Sequence, residues 1–285
     1  MEIESDYCVV IEPNRSWFRL PWRDLLHYRD LWFLMVRRDF VAKYKQTVLG
    51  PIWYMFQPLM TAGTFTIVFG RIAKISTDNL PQMLFYMAGM VLWNYFSQCV
   101  SGTSTVFVAN ARLFGKVYFP RLIVPLAVVT SNLIGVALKL FSFAGFWLYF
   151  QYFTAAGGTF RITAWVLLLP LFVLQTAALG LGVGLWMTSL TAKYRDLKQV
   201  LGTIVHLWMY VTPVIYPLSE VPARWRWAVS INPMTGITEA TRYALLGAGT
   251  VNPEYMLYSA LGTILLLVSG VLMFSRTERT FIDTV

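Results

Sequence analysis

The sequence predicts an all-α polytopic membrane protein with six transmembrane helices. An amphipathic interface helix precedes the first span, and two short outer re-entrant helices separate the fifth from the sixth. Three observations predict this class. Apolar residues make up 57% of the 285 and charged residues only 13%, against about 25% charged in a soluble domain. Six apolar stretches approach or exceed the roughly 20 residues that cross a bilayer; they run over about 52–70, 83–108, 122–152, 162–190, 199–217 and 256–274. The positive charge between them falls mostly on one side.

With the N-terminus placed in the cytoplasm, sixteen of the 23 Lys and Arg residues fall in cytoplasmic segments and six in outer ones. The cytoplasmic set includes Arg37, Arg38, Lys43 and Lys45 before span one, and Arg112, Lys116 and Arg121 after span two. It continues with Lys193, Arg195 and Lys198 after span four. This is a positive-inside bias, so both termini are predicted to be cytoplasmic. The net charge of +9 has the same origin. The basic residues sit in short loops beside apolar spans, where they meet anionic headgroups rather than nucleic acid.

The elements follow in order. Residues 1–20 form a cytoplasmic tail, whose acidic and polar start shows no signal-peptide pattern. Residues 21–50 hold the cytoplasmic interface helix. Pro21 suits a first helical position. Trp22, Leu25, Leu26, Trp32, Phe33, Val36 and Phe40 recur at helical spacing opposite Arg23, Asp24, His27, Asp30, Arg37 and Arg38. Such a helix lies along the membrane surface; a soluble helix packed on a partner has the same pattern. Residues 51–285 form the transmembrane domain. Its third span is long enough to tilt or to carry an extramembrane turn. Between spans five and six, Trp225, Trp227, Ala228, Val229 and Ile231 precede Asn232-Pro233 and a part-apolar run to Leu246. Each piece is too short to span, which suits two short helices dipping into the outer leaflet. The Trp residues equally suit an aromatic belt.

Bond-making chemistry is missing from the pattern. Lys139 and His206 are the only clear ionisable residues inside the spans, and no carboxylate lies deep in one. The sequence has no His, Cys and Asp cluster at metal spacing, no Gly-x-Ser-x-Gly elbow and no relay of intramembrane acids. Cys8 and Cys99 imply no disulfide framework. A phosphate-cradling loop is absent as well: Gly115-Lys116 is followed by Val117 and lacks the upstream glycine. If the chain transports actively, another chain supplies the energy.

Four stretches carry a family resemblance. They are RDFVAKYKQTVLGPIWYMFQP from Arg38, FGKVYFPRLIVPL at 114–126, LTAKYRDLKQVL at 190–201, and LWMYVTPVIYPLSEVPARWRW at 207–227 with INPMTGITEATR at 231–242. Together they resemble the permease subunit of bacterial ABC-2-type polysaccharide exporters, which move O antigen, teichoic acid or capsule. The resemblance runs over nearly the whole chain from about residue 20. It implies a homodimeric channel in the bacterial inner membrane and two copies of a separate ATPase that bind ATP and Mg. It also implies a polymer carried on undecaprenyl diphosphate or a similar lipid, and no cofactor or metal in this chain. A coupling helix is implied within about 109–121, where Phe114, Tyr118 and Phe119 alternate with Lys116 and Arg121. A periplasmic gate is implied at about 218–250.

The residues allow a physical reading beside that resemblance. Lys43 and Lys45 would attract a diphosphate headgroup at the cytoplasmic entrance, where Trp53 and Tyr54 offer stacking faces; as topology anchors and belt they would look the same. Trp93, Tyr95, Phe96, Trp208, Tyr210 and Tyr216 are pore candidates, because aromatic walls stack on sugars while Tyr and Trp keep a polar handle. Lipid-facing or packing aromatics share that composition. Lys139 either meets a lipid phosphate, lines a hydrated pore, or snorkels to headgroups from a tilted helix. Pro213 and Pro217 kink or end span five ahead of Trp225 and Trp227. Glu239 and Arg242, three apart, are placed to pair on the second short helix. Two other classes stay open: an ABC permease for a small lipophilic drug or lipid, and a membrane-embedded enzyme or assembly factor.

Overall fold

A computed structural model describes residues 22–45, 52–117, 119–194 and 196–281. Among these residues every regular element is helical. The N-terminal pair is α1 (Trp22–His27) and α2 (Arg29–Tyr44). The sequence predicts one helix here; the chain turns at Tyr28, with φ −90° and ψ 22°. On α2, Met35 is buried among Val106, Phe119, Ile123, Val124 and Ala127. Phe33 and Leu34 are exposed on its other side, as is Leu26 of α1. The pair therefore has one apolar face on the protein and one free.

Helix α3 (Ile52–Phe65) runs into a π-helical segment, Thr66–Ile72. Pro58 lies inside α3 and removes a ladder donor. The hydroxyls of Thr61, Thr64 and Thr66 donate to the carbonyls of Gln57, Met60 and Ala62. Such back-bonding satisfies a hydroxyl within its own helix. Helix α4 (Gln82–Thr103) is the centre of the molecule. Residues 84–93 are all buried, as are Tyr95, Phe96, Cys99 and Val100. Two single turns, α5 (Val106–Ala109) and α6 (Ala111–Phe114), lead to α7 (Ile123–Phe153). A 3-10 turn at Ala164–Leu168 opens α8 (Leu169–Lys193), and α9 (Leu197–Val211) follows. Then come a 3-10 turn at Leu218–Glu220, α10 (Ala223–Ile231), α11 (Pro233–Leu246) and α12 (Pro253–Phe281).

Alternate glycines let α8 sit tightly between two neighbours. A Cβ at Gly180 would come 2.7 Å from Cys99 Cβ, and one at Gly184 2.6 Å from Thr103 Cβ, both on α4. At Gly182 it would come 2.7 Å from the Leu267 backbone N on α12. Positions two apart on a helix point roughly 200° away from each other, so the glycines serve opposite faces. Small residues let helices approach closely where water supplies no driving force. Polar ties reinforce the contact: Gln175 Nε2 donates to Ser259 Oγ at 2.8 Å and Trp186 Nε1 to Ser269 Oγ at 2.9 Å.

Among the described residues three helices are long and apolar enough to cross a membrane: Ile123–Phe153, Ala164–Lys193 and Pro253–Glu278. They correspond to the third, fourth and sixth predicted stretches. The other three differ in length or polarity. Helix α3 gives way to the π segment, and α4 carries Asn94, Ser97, Gln98 and Ser101. Helix α9 has 15 residues, about 22 Å of rise.

Candidate translocation surface and its two ends

Asn232-Pro233 parts α10 from α11 at the predicted place. Pro233 takes the first helical position, and the Asn232 side chain accepts from Met234 N–H at 3.1 Å. That cap satisfies an orphan donor. Asn232 also accepts from Trp208 Nε1 at 3.2 Å and donates to Thr212 Oγ1 at 2.8 Å, tying the start of α11 to the end of α9. Helix α11 is buried at every residue from Met234 to Arg242.

At its heart lies a buried ion pair. Arg242 Nη1 donates to Glu239 Oε1 at 2.5 Å. Arg242 Nη2 donates to the Pro213 carbonyl at 2.7 Å, and the guanidinium lies 3.9 Å over the Phe85 ring. Glu239 Oε2 accepts from Thr250 N–H at 2.8 Å. One arginine thus joins α4, α11 and the bend after α9, while its glutamate holds the loop before α12. Pro213 serves by exposing its carbonyl, and Pro217 leads into the 3-10 turn. Trp225 and Trp227 are exposed on α10. A second tie crosses the surface nearby, where Ser219 Oγ donates to Asp78 at 2.8 Å.

Between the ends, α9 turns Leu201 and Val205 inward. Trp208 packs edge-on against Phe96, with ring centroids 5.1 Å apart. Gln199, Thr203, His206 and Tyr210 recur at i, i+4, i+7 and i+11, and all four are exposed. His206 Nδ1 donates to the Gly202 carbonyl at 2.8 Å, which turns Nε2 outward. Helix α3 also packs on α4, and it leaves Trp53, Phe56, Gln57 and Thr64 exposed. Two exposed, partly polar faces therefore flank the buried α4.

At the opposite end, Phe114, Phe119 and Arg121 turn toward the protein. Phe119 is buried, and its ring centroid lies 5.7 Å from that of Phe114. The Arg121 guanidinium lies 5.3 Å over Phe114 and its Nη1 donates to the Glu278 carbonyl of α12 at 3.2 Å. Lys116 is exposed between Gly115 and Val117. Tyr118 lies outside the described residues, as does the Tyr54 side chain.

The remaining predicted residues divide sharply. Lys45, Trp53 and Tyr210 are exposed, and Tyr216 is half-buried with its hydroxyl donating to the Val211 carbonyl at 3.1 Å. Trp93, Tyr95 and Phe96 are buried. They pack in the core between α4 and its neighbours. Lys139 does not snorkel: it is 4% exposed near the middle of α7. The sequence reading missed the α9 seam, although the 4-3-4 spacing of its polar residues was there to be counted. It also missed Asn132, which no local pattern marks. No group of three or more His, Cys, Asp or Glu side chains among the described residues could hold a metal ion.

An all-helical membrane body with a polar seam on its outside defines a class, the membrane subunit of a transporter. The chain belongs to the ABC-2 type transporter family, which it matches over residues 30–246. It is 25% identical over 254 residues to an O-antigen export system permease protein RfbA of Klebsiella pneumoniae, covering 89% of this chain and 94% of that one. The RfbA protein of Myxococcus xanthus is 25% identical over 268 residues, 92% of this chain and 98% of its own. The capsule polysaccharide export inner-membrane protein CtrC of Neisseria meningitidis serogroup B is 22% identical over 270 residues, 90% of this chain and 95% of that relative.

Proposed function

We propose that this chain is the permease subunit of an ATP-driven exporter that carries a lipid-linked, O-antigen-like polysaccharide from cytoplasm to periplasm. Two copies form the channel in the bacterial inner membrane. Two copies of a separate ATPase, which bind ATP and Mg, dock on the cytoplasmic side. Each copy has six spans: α3 with its π segment, α4, α7, α8, α9 and α12. Both termini are cytoplasmic, and α1 and α2 lay their free apolar face on the lipid surface.

The observation that carries this reading is the exposed seam on α9. Amide, hydroxyl and imidazole groups at membrane depth face a protein partner or water rather than lipid. A second copy and a hydrated path supply both. Such a wall suits a sugar polymer, which exchanges many weak hydrogen bonds with it, while Tyr210 and Trp53 offer stacking faces. The relatives' own names, O-antigen and capsule export, support the same cargo.

The other residues take roles by position. Lys43, Lys45, Trp53 and Tyr54 flank the entrance. Lys116 meets the ATPase, and Arg121 passes the motion to α12 through Glu278, with Phe114, Tyr118 and Phe119 stiffening the lever. Helices α10 and α11 gate the exit, hinged at Pro213 and Pro217 and carrying Trp225 and Trp227 outward.

The decisive experiment co-purifies the chain with its ATPase and adds lipid-linked glycan, which is expected to stimulate ATP hydrolysis. Single cysteines at Thr203 and His206, in a chain lacking Cys8 and Cys99, are expected to react with a water-soluble thiol reagent and to cross-link two copies. Absence of both reactions rules out the seam as a channel wall.

A further inference from the structure

A second polar track lies away from the α9 seam. Lys139 and Asn132 are seven residues apart on α7 and so share a face; each is 4% exposed. Lys43 of α2 enters from the side, its Nζ donating to Asn132 Oδ1 at 2.5 Å. That bond occupies the amide oxygen and leaves Asn132 Nδ2 as a donor. Tyr95 and Cys99 of α4 are buried nearby, and the Tyr95 hydroxyl donates to the Val129 carbonyl of α7 at 3.2 Å.

The track is cationic and has no matching acid. Lys139 and Lys43 stand near enough for their charges to act on each other. Among the described residues Lys139 has no hydrogen bond and no carboxylate beside it. Asp39, the acid beside Lys43, is held by Arg38 at 2.9 Å. Buried charge is retained where it is paired. Two ammonium groups with an amide N–H between them, and only the already paired Asp39 near the rim, present a site for an anion. Lysines bind phosphate as point charges, and Lys43, an exposed residue, marks the side from which it opens.

We propose that Lys139, Asn132 and Lys43 form an internal subsite for a phosphate or diphosphate group, with Lys43 at the rim and Lys139 at the floor. This rests on the export reading, under which the group belongs to the lipid anchor of the polymer. The site holds the anchor's charge within the membrane domain while the sugars follow another surface.

The test uses the full chain co-purified with its ATPase in lipid nanodiscs. Three probes are compared by native mass spectrometry: undecaprenyl diphosphate, undecaprenol and inorganic pyrophosphate. Lys139→Met and Lys43→Gln are each expected to weaken undecaprenyl diphosphate binding about tenfold or more, leaving undecaprenol unchanged. Lys139→Arg keeps the charge and is expected to retain binding. Lys139-dependent binding of inorganic pyrophosphate as tight as that of the lipid upholds the subsite but assigns it to a free anion. Full diphosphate-lipid binding by both folded variants overturns the subsite, as does failure of the wild-type chain to bind either diphosphate. Polymer export in cells separates the two readings. Export lost on deleting the chain and fully restored by Lys139→Met overturns the subsite alone. Export undiminished by the deletion overturns the export reading itself.

Discussion

Arg242 on α11 and Arg121 just before α7 each face a glutamate, but the two pairs sit in different surroundings. The Arg242 and Glu239 side chains are 0% and 2% exposed and 2.5 Å apart. The Arg121 and Glu278 side chains are 10% and 34% exposed and 3.8 Å apart. A pair withdrawn from water leaves a costly lone charge when one partner goes. A pair whose carboxylate is a third exposed and 3.8 Å from its partner is partly screened and weaker. The α11 end is therefore built as a lock, cross-linked to α4, to the bend after α9 and to the loop before α12. The α7 end is built as a clasp between a loop and the tail of α12.

The largest expected effect breaks the lock. Arg242→Met strands Glu239 in the interior and is expected to cost about 3–5 kcal/mol, read as a lower unfolding midpoint in detergent. Replacing both residues, Glu239→Gln with Arg242→Met, is expected to recover much of the loss, because no charge is then left unpaired. A double variant as unstable as the single one would show that the pair does not act as a unit. Next comes a site away from both ends. Gly182→Ala forces α8 from α12 at the Leu267 backbone and is expected to cost about 1–3 kcal/mol, with the fraction of protein surviving size-exclusion chromatography as the check.

Asn232→Ala probes the approach to the lock. It removes the cap on Met234 N–H and the bonds with Trp208 and Thr212, an expected loss of about 1–2 kcal/mol. A shift in Trp fluorescence would report the freed Trp208 indole. The smallest effect belongs to the clasp. Arg121→Gln is expected to cost no more than about 1 kcal/mol. If it destabilises as much as Arg242→Met, the contrast between the two ends fails.

Much of the helix layout was legible in the residues. Pro233 after Asn232 marked the break between α10 and α11, because proline suits a first helical turn and asparagine a cap. The i, i+3 spacing marked Glu239 and Arg242 as a pair. The site itself was legible only in part. Trp93, Tyr95 and Phe96 have the composition of a sugar-stacking wall, yet α4 is enclosed by other helices. The length of α7 suggested that Lys139 could climb to the headgroups; its direction, toward α4 and α2, was not in the spacing. Arg121 read as a charge for a partner and turned out to bind α12.

The sequence by itself determined the membrane class, the helical content, the breaks at proline and asparagine, and the family. These follow from local chemistry: apolar length, charge asymmetry and backbone restriction act wherever the residues are placed. Only the tertiary structure decided which faces are covered. In water, an apolar face must turn inward, so periodicity reveals the core. In a bilayer, lipid and protein interior are both apolar, and a face rich in Leu and Phe fits either. The direction of each helix face is then set by close packing, such as the alternating glycines of α8, and by single buried polar groups such as Arg242 and Lys139.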